Sequence, residues 1–422
     1  MSEKILIVDA YTPAHVGNGV LLKSSINVIK RAFPNSEIRF LSLETSTPKI
    51  VTDLPYNEFL FRFPVHMSIA NKIIWLVFNL AFMFFHIINR LTFKLRPSSI
   101  TFSNYRKDAF KKIEDADVVV SITGEAINDR TRSVLPFFLF TYWMAASLGK
   151  KMIIFPQSIG PLKRSWTRKL CQIVLSRCSL VVGRDEYSID ELKGLGIPED
   201  IIYFSPDVGV IQPFINAEEA NEILIQQSIN KGNNFLLGIS VSKPKEEGIA
   251  NTDHISILID GIKKAFDPSE TTILILSANM PLPGVDEGDF SDCKSFAEKL
   301  REFEVKILEP KIYSPETFKG ILSRLDLFIS SRMHVSILAT MATTPTITLN
   351  TQRKLHGYML NIGQESLSLD LEDLNADLIK QKVKFAKSSL SDIKKNLSEM
   401  SIAMEEKIDK FAEYLSENLR KA

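Results

Sequence analysis

The sequence predicts an α/β protein of two doubly wound, Rossmann-like lobes with a central cleft. Three observations lead there. Short apolar runs of strand length alternate with helix-period patterns along most of the 422 residues, as in parallel strands joined by helical crossovers. The alternation is interrupted once, by a polar stretch at 206–234 marked by Pro206, Pro213 and Gly232. The polar residues able to do chemistry fall mostly where apolar runs end, the edge at which doubly wound sheets bind ligands.

In the first lobe, 1–205, strands are expected at 5–8 and 37–43, with a helix at 20–33 after the Gly17-Asn18-Gly19 turn. An apolar helix at 73–88 and a basic loop precede a buried strand at 117–122. A helix at 135–148, strand at 151–155, helix at 165–176, strand at 180–182 and helix at 186–195 complete the lobe. The connection at 206–234 leads to a second lobe, 235–385. There strands are expected at 235–241, 271–277, 306–308, 326–329 and 346–349, with helices at 253–266, 289–302 and 315–322 between them. Residues 386–422 read as a charged amphipathic helix.

Composition excludes several function classes. Apolar residues make up 45%, and 51 Lys and Arg balance 50 Asp and Glu, so no basic field for nucleic acid is present. Cys171, Cys178 and Cys293 have no metal-ligand spacing, and no metal is expected. Sparse, odd cysteine usage fits a reducing cytoplasm. The opening run is too short for a signal peptide and ends at Asp9. Residues 73–88 carry only Asn79 and His86 as polar groups. Sixteen residues make a helix of about 24 Å, short of the roughly 30 Å hydrocarbon core. Two readings stay open: a buried core helix, or a helix seated in a membrane interface or against a partner, for which Trp75 and the basic flank speak.

The richest stretch runs from Leu327 to His334. Ser330 and Ser331 are suited to cap the helix that follows, whose N-terminus favours anions. Arg332 adds a fork of donors that fits carboxylate or phosphate, and His334 adds a proton carrier for neutral pH. A phosphorylated or carboxylated small molecule is the expected substrate. Arg332 is also able to pair with a structural carboxylate, and His334 to sit satisfied in a core.

Other strand ends supply further candidates. Gln157, Ser158 and Gly160 lie in a proline-bounded loop, which also reads as a plain rigid turn. Gly124 would let a ligand approach the backbone, while Glu125 and Asp129 are carboxylates for deprotonating a hydroxyl or for capping a helix. Arg184 is a second anion clamp or a structural bridge, with Asp185 able to cap the next helix. Asn18, between two glycines and near His15, suits a phosphate or sugar cradle. Asp207 sits at the expected hinge. Lys354 is placed to hold a phosphate, and His356 follows it.

In order along the chain, these residues resemble the polysaccharide pyruvyl transferase family: Gly-Asn-Gly, the 121–124 loop, Gln157-Ser-Ile-Gly-Pro161, Arg184-Asp185, Asp207, Ser330-x-Arg332-x-His334 and Lys354-x-x-Gly357. The match covers roughly 5–360. Gly19-Val20, Thr123-Gly124-Glu125 and Asp207-Val208-Gly209 depart from the family pattern, as in a divergent member. The resemblance implies a GT-B-like fold and transfer of the pyruvyl group of phosphoenolpyruvate to two sugar hydroxyls as a ketal. It implies that Arg332 and His334 hold and activate phosphoenolpyruvate, with no further cofactor. Arg184 and Lys354 would assist, Asp129 or Glu125 would be the base, and the first lobe would take the acceptor. That acceptor is expected to be a lipid- or nucleotide-linked saccharide of a polysaccharide or glycolipid precursor, met in the cytoplasm or at the inner membrane face through 73–88. A nucleotide-sugar glycosyltransferase of the same fold and a non-catalytic member are the rival readings.

Overall fold

A computed structural model describes residues 2–64, 67–229, 232–241, 254–280, 288–351 and 353–421. The chain forms two compact units: residues 1–13, 21–208 and 407–422 make unit 1, and residues 14–20 and 209–406 make unit 2. Two assignments differ from a division at single points in the sequence. The first turn of the first helix is counted with unit 2, and the end of the last helix with unit 1. Residues 230 and 231 of the expected connection, and Asp253 of an expected helix, lie outside the described residues.

Unit 1 holds a parallel sheet of β1 (Lys4–Ala10), β2 (Glu37–Ser42), β3 (Tyr56–Glu58), β4 (Val118–Ser121), β5 (Lys151–Gln157), β6 (Leu180–Gly183) and β7 (Ile202–Phe204). Their order is β3-β2-β1-β4-β5-β6-β7. The strands read as continuous apolar runs because crossover helices cover both faces of such a sheet. β4 is buried at every position. The core gathers Phe59, Phe61, Phe110, Phe137, Phe138 and Tyr142, all under 2% exposed.

Unit 2 repeats the plan with β8 (Phe235–Ser240), β9 (Thr271–Ile275), β10 (Glu304–Ile307), β11 (Leu327–Ser330), β12 (Thr346–Asn350) and β13 (Ser368–Asp370). The order β10-β9-β8-β11-β12-β13 is again parallel and doubly wound. Each sheet reverses its strand order once, between β1 and β4 and between β8 and β11. Ligands in such sheets bind beyond the carboxyl ends of the strands at that switch point.

Three of the expected elements differ in extent from their reading in the sequence. The first helix, Val16–Ala32, begins four residues early and takes the Gly-Asn-Gly stretch into its first turn. The apolar helix runs Ile69–Thr92, capped by the Ser68 hydroxyl. Its 24 residues are about 36 Å long, so the length objection to a membrane span falls away. Most of it is exposed, with Asn79, Met83 and His86 buried, which removes the buried-core reading. The C-terminal segment is two helices, Ala376–Ser388 and Leu390–Lys421, parted at Ser389.

Candidate active-site residues in each unit

In unit 2 the switch point carries the Ser-x-Arg-x-His stretch. Ser330 pairs in register with Ser240 across β11 and β8, and the Ser331 N–H donates to the Ser240 carbonyl at 3.1 Å. The chain then turns into the helix Met333–Thr340. The expected serine cap is corrected here: Arg332 itself occupies the N-cap position, without a side-chain cap bond. Ser330 still belongs to the strand, so its hydroxyl accepts the Arg332 N–H at 3.0 Å instead of reaching the first turn.

Arg332 pairs with Asp289, a partner that precedes the helix Phe290–Glu298. The two side chains are 16% and 15% exposed, so the pair is largely but not wholly desolvated. Arg332 Nε is buried and has no hydrogen-bond partner among the described residues. One edge of the fork is thus engaged, and an N–H on it still seeks an acceptor.

His334, half-buried, lies against the first turn of Val16–Ala32. A Cβ on Gly17 would stand 2.6 Å from His334 Nδ1, so only glycine lets this turn approach the imidazole. The turn is fastened to unit 2 on both sides: Val16 N–H donates to Ala278 at 2.9 Å, and Met280 N–H donates to Ala14 at 2.8 Å. Asn18 and Gly19 N–H groups both return to the His15 carbonyl. The Gly-Asn-Gly stretch and the Arg/His stretch, distant in sequence, are therefore one assembly. Lys354 is half-buried in the first turn of Arg353–Asn361, the helix after β12. β12 is the neighbour of β11, and Thr351 reaches the Ser331 carbonyl at 3.4 Å. His356 faces Asn350 at 3.3 Å.

The strand ends of unit 1 form a buried polar network. The Arg184 guanidinium, 1% exposed, pairs with Asp207, 2% exposed, and its Nε donates to the Ser158 hydroxyl at 3.0 Å. Ser158 donates to Asp185 at 2.7 Å, and the other Asp185 oxygen caps Glu186–Gly194 through the Ser188 N–H at 2.8 Å. Arg184 and Ser158 are thus bound into a buried ion-pair network that ties β5, β6 and the segment after β7 together. Of its two readings, anion clamp or structural bridge, Arg184 here shows the second, with Asp207 balancing its charge.

Of its two readings, base or helix cap, Asp129 here shows the second. One carboxylate oxygen accepts the backbone N–H groups of Lys163 and Arg164 at 2.7 and 3.1 Å, and the other accepts the Thr167 hydroxyl at 2.6 Å. It fastens the start of Ser165–Leu175. Burial opposes ionisation, but these hydrogen bonds together outweigh it and hold the carboxyl below its ordinary range. Glu125 pairs with Arg130 of the same loop. Gly124 accepts the Ser158 N–H at 3.1 Å, joining the loops after β4 and β5. Gly160 has φ +87°, and a Cβ there would meet Glu191 at 2.8 Å. Gln157 accepts from Thr123 at 3.1 Å, while its buried Nε2 has no partner among the described residues.

The sequence reading missed Asp9. It stands at the switch point of unit 1 with φ +60°, fully buried. It accepts the Ile122 N–H at 3.1 Å and the Tyr142 hydroxyl at 2.6 Å, and that hydroxyl also bonds Ser121 at 2.9 Å. Burial pushes its carboxyl up to about 7 despite these hydrogen bonds. The signal was present: an acidic residue closing an apolar strand run has to find buried partners. The three cysteines are free and buried, and burial pushes each thiol up to about 12.

The family model for polysaccharide pyruvyl transferase matches residues 15–353. The chain belongs to that family. The matched range opens on the turn against His334 and runs through the Arg332 and His334 stretch. The family is one of transferases in polysaccharide biosynthesis. Among its relatives, the amylovoran biosynthesis protein AmsJ of Erwinia amylovora is 20% identical over 378 residues, covering 88% of this chain and 89% of that protein. The fold is GT-B-like. Anabaena HepE, solved with UDP and glucose, superposes with a TM-score of 0.59 at 12% identity, covering 98% of this chain and all of that one. The UDP-GlcNAc 2-epimerase of Neisseria meningitidis, solved with UDP-GlcNAc, gives 0.58 at 14% identity over 99% of this chain.

Proposed function

We propose that this transferase moves the pyruvyl group of phosphoenolpyruvate onto two hydroxyls of a saccharide, forming a ketal and releasing phosphate. The observation that carries the reading is the Arg332–His334 assembly at the unit 2 switch point, in a chain of the pyruvyl transferase family. Phosphoenolpyruvate is a small, highly charged anion. Arg332, Lys354 and the start of Met333–Thr340 supply two cations and the positive end of a helix dipole for it.

Protonation of the methylene carbon makes the neighbouring carbon electrophilic. His334 is assigned that proton transfer. One acceptor hydroxyl then adds to the electrophilic carbon and loses its proton. The second hydroxyl then bonds to the same carbon as the C–O bond to phosphate breaks, and its proton leaves on the phosphate, completing the ketal. Arg332 stabilises the carboxylate or the departing phosphate, displacing or sharing Asp289 as the anion enters.

Incubation with phosphoenolpyruvate and a lipid-linked saccharide extract tests this by mass spectrometry and phosphate assay. The expected product is a saccharide one pyruvate ketal heavier, with one phosphate per ketal. His334→Ala should lower the rate by about 10²- to 10⁴-fold. A near wild-type rate in that variant contradicts the role of His334, and phosphate release without a ketal contradicts the reaction.

A further inference from the structure

The helix Ile69–Thr92 has two unlike faces. One is committed to unit 1: Trp75 packs on Phe137 with ring centroids 5.0 Å apart, and Phe82 on Phe110 at 6.1 Å. Three of its polar side chains find partners on that side. Asn79 accepts from the Arg106 guanidinium at 2.6 Å, His86 Nε2 meets the Thr101 hydroxyl at 3.2 Å, and Arg90 Nε donates to the Ser147 carbonyl at 3.1 Å. The opposite face carries Ile69, Ile73, Val77, Leu80, Phe84 and Leu91 as one stripe, each between 45% and 79% exposed. Phe102, beyond the helix, is 99% exposed.

Charge along the sequence that carries the stripe has one sign. Between Glu58 and Asp108 there is no carboxylate, while Arg62, Lys72, Arg90, Lys94, Arg96, Arg106 and Lys107 supply seven positive charges. Lys72, Lys94 and Arg96 are exposed at the two ends of the helix. An apolar stripe with basic residues at its ends matches the acyl region and phosphates of an anionic bilayer.

We propose that this helix seats unit 1 on an anionic lipid surface. It lies in the plane of the interface, with the stripe among the acyl chains and Lys72, Lys94 and Arg96 at the phosphates. Length alone would permit a span. Crossing the bilayer would, however, strip Asn79, His86 and Arg90 of their partners and leave Arg106 buried without Asn79. A second copy of the chain fits poorly, because antiparallel pairing sets Lys72 against Lys94 and Arg96, and parallel pairing sets each basic residue against itself. A lipid-borne acceptor at this surface would rest on the proposed reaction. Seating on the membrane does not.

Flotation of the full chain with vesicles of phosphatidylcholine, with and without phosphatidylglycerol, tests the proposal without phosphoenolpyruvate, so its failure leaves the pyruvyl reading standing. The protein should float with phosphatidylglycerol vesicles and be released by alkaline carbonate. I73Q/V77Q/F84Q, all at exposed positions, should abolish binding with an unchanged thermal midpoint. K72Q/K94Q/R96Q should weaken it about a hundredfold, near fivefold per charge. Three results would overturn it: no flotation with either vesicle; resistance to carbonate, which means a span; or a soluble dimer that the glutamine triple variant dissociates.

Discussion

A Cβ at position 17 would sit 2.6 Å from Nδ1 of His334, closer than side chains tolerate, so the glycine keeps room for the imidazole. Gly17→Ala should therefore push the ring off its position without unfolding unit 2. An ångström-scale displacement of a catalytic group costs on the order of a hundredfold in rate. Turnover by Gly17→Ala should fall by about that factor while the thermal midpoint stays near wild type; an unaffected turnover number would separate this turn from the chemistry. Asp9 makes a second residue-scale case. Its folded carboxyl is raised to about 7 against an ordinary value of 3.8, so the fold favours the protonated form. The stability it contributes is full below about pH 4 and is lost as pH rises toward 7, on the order of 4 kcal/mol. Thermal midpoints of wild type should fall across that window, and those of Asp9→Asn should be flatter. Equal slopes would show that Asp9 titrates normally. At this scale the sequence showed Arg332 and His334 by their spacing. It hid Asp9 and Asp289, because a carboxylate's partner is chosen by the fold.

Strand and helix alternation was legible because each crossover helix must bury an apolar stripe and each central strand both faces. β3, β7 and β13 escaped notice since three residues at a sheet edge make no period. The start of the first helix was misplaced because two glycines read as a turn; hydrogen bonds from Val16 and Met280, together with His334, override that weak preference. The serines before Met333 were read as caps because they precede a helix pattern, yet sheet pairing claims Ser330 first. The Arg184–Asp207 pair shows how an element's end is secured. Its two charges are buried together, and the Ser158 hydroxyl and the Asp185 cap extend the network from β5 to the helix after β6. Asp207→Ala leaves the guanidinium buried and uncompensated, at a cost of about 3–5 kcal/mol. Chemical denaturation should show that loss. A change under 1 kcal/mol would mean that the pair is solvated in solution.

For the whole molecule, two copies of one topology place chemistry at two switch points. Unit 1 uses its own for internal bonding, with Asp9, Tyr142 and Ser121 satisfied among themselves and Arg184 held by Asp207. Unit 2 keeps at its switch point an arginine whose Nε has no partner among the described residues, a histidine against a glycine turn and the start of a helix. On the proposed reaction, the donor is assigned to unit 2, where Arg332 and His334 share one helix start. Isothermal titration with phosphoenolpyruvate, beside UDP and GDP, measures the assignment most directly. Phosphoenolpyruvate should bind, and Arg332→Ala should weaken it about 10- to 100-fold, the loss of one charge-assisted pair. Binding of a nucleotide and not of phosphoenolpyruvate would contradict pyruvyl transfer and point to a nucleotide-sugar glycosyltransferase.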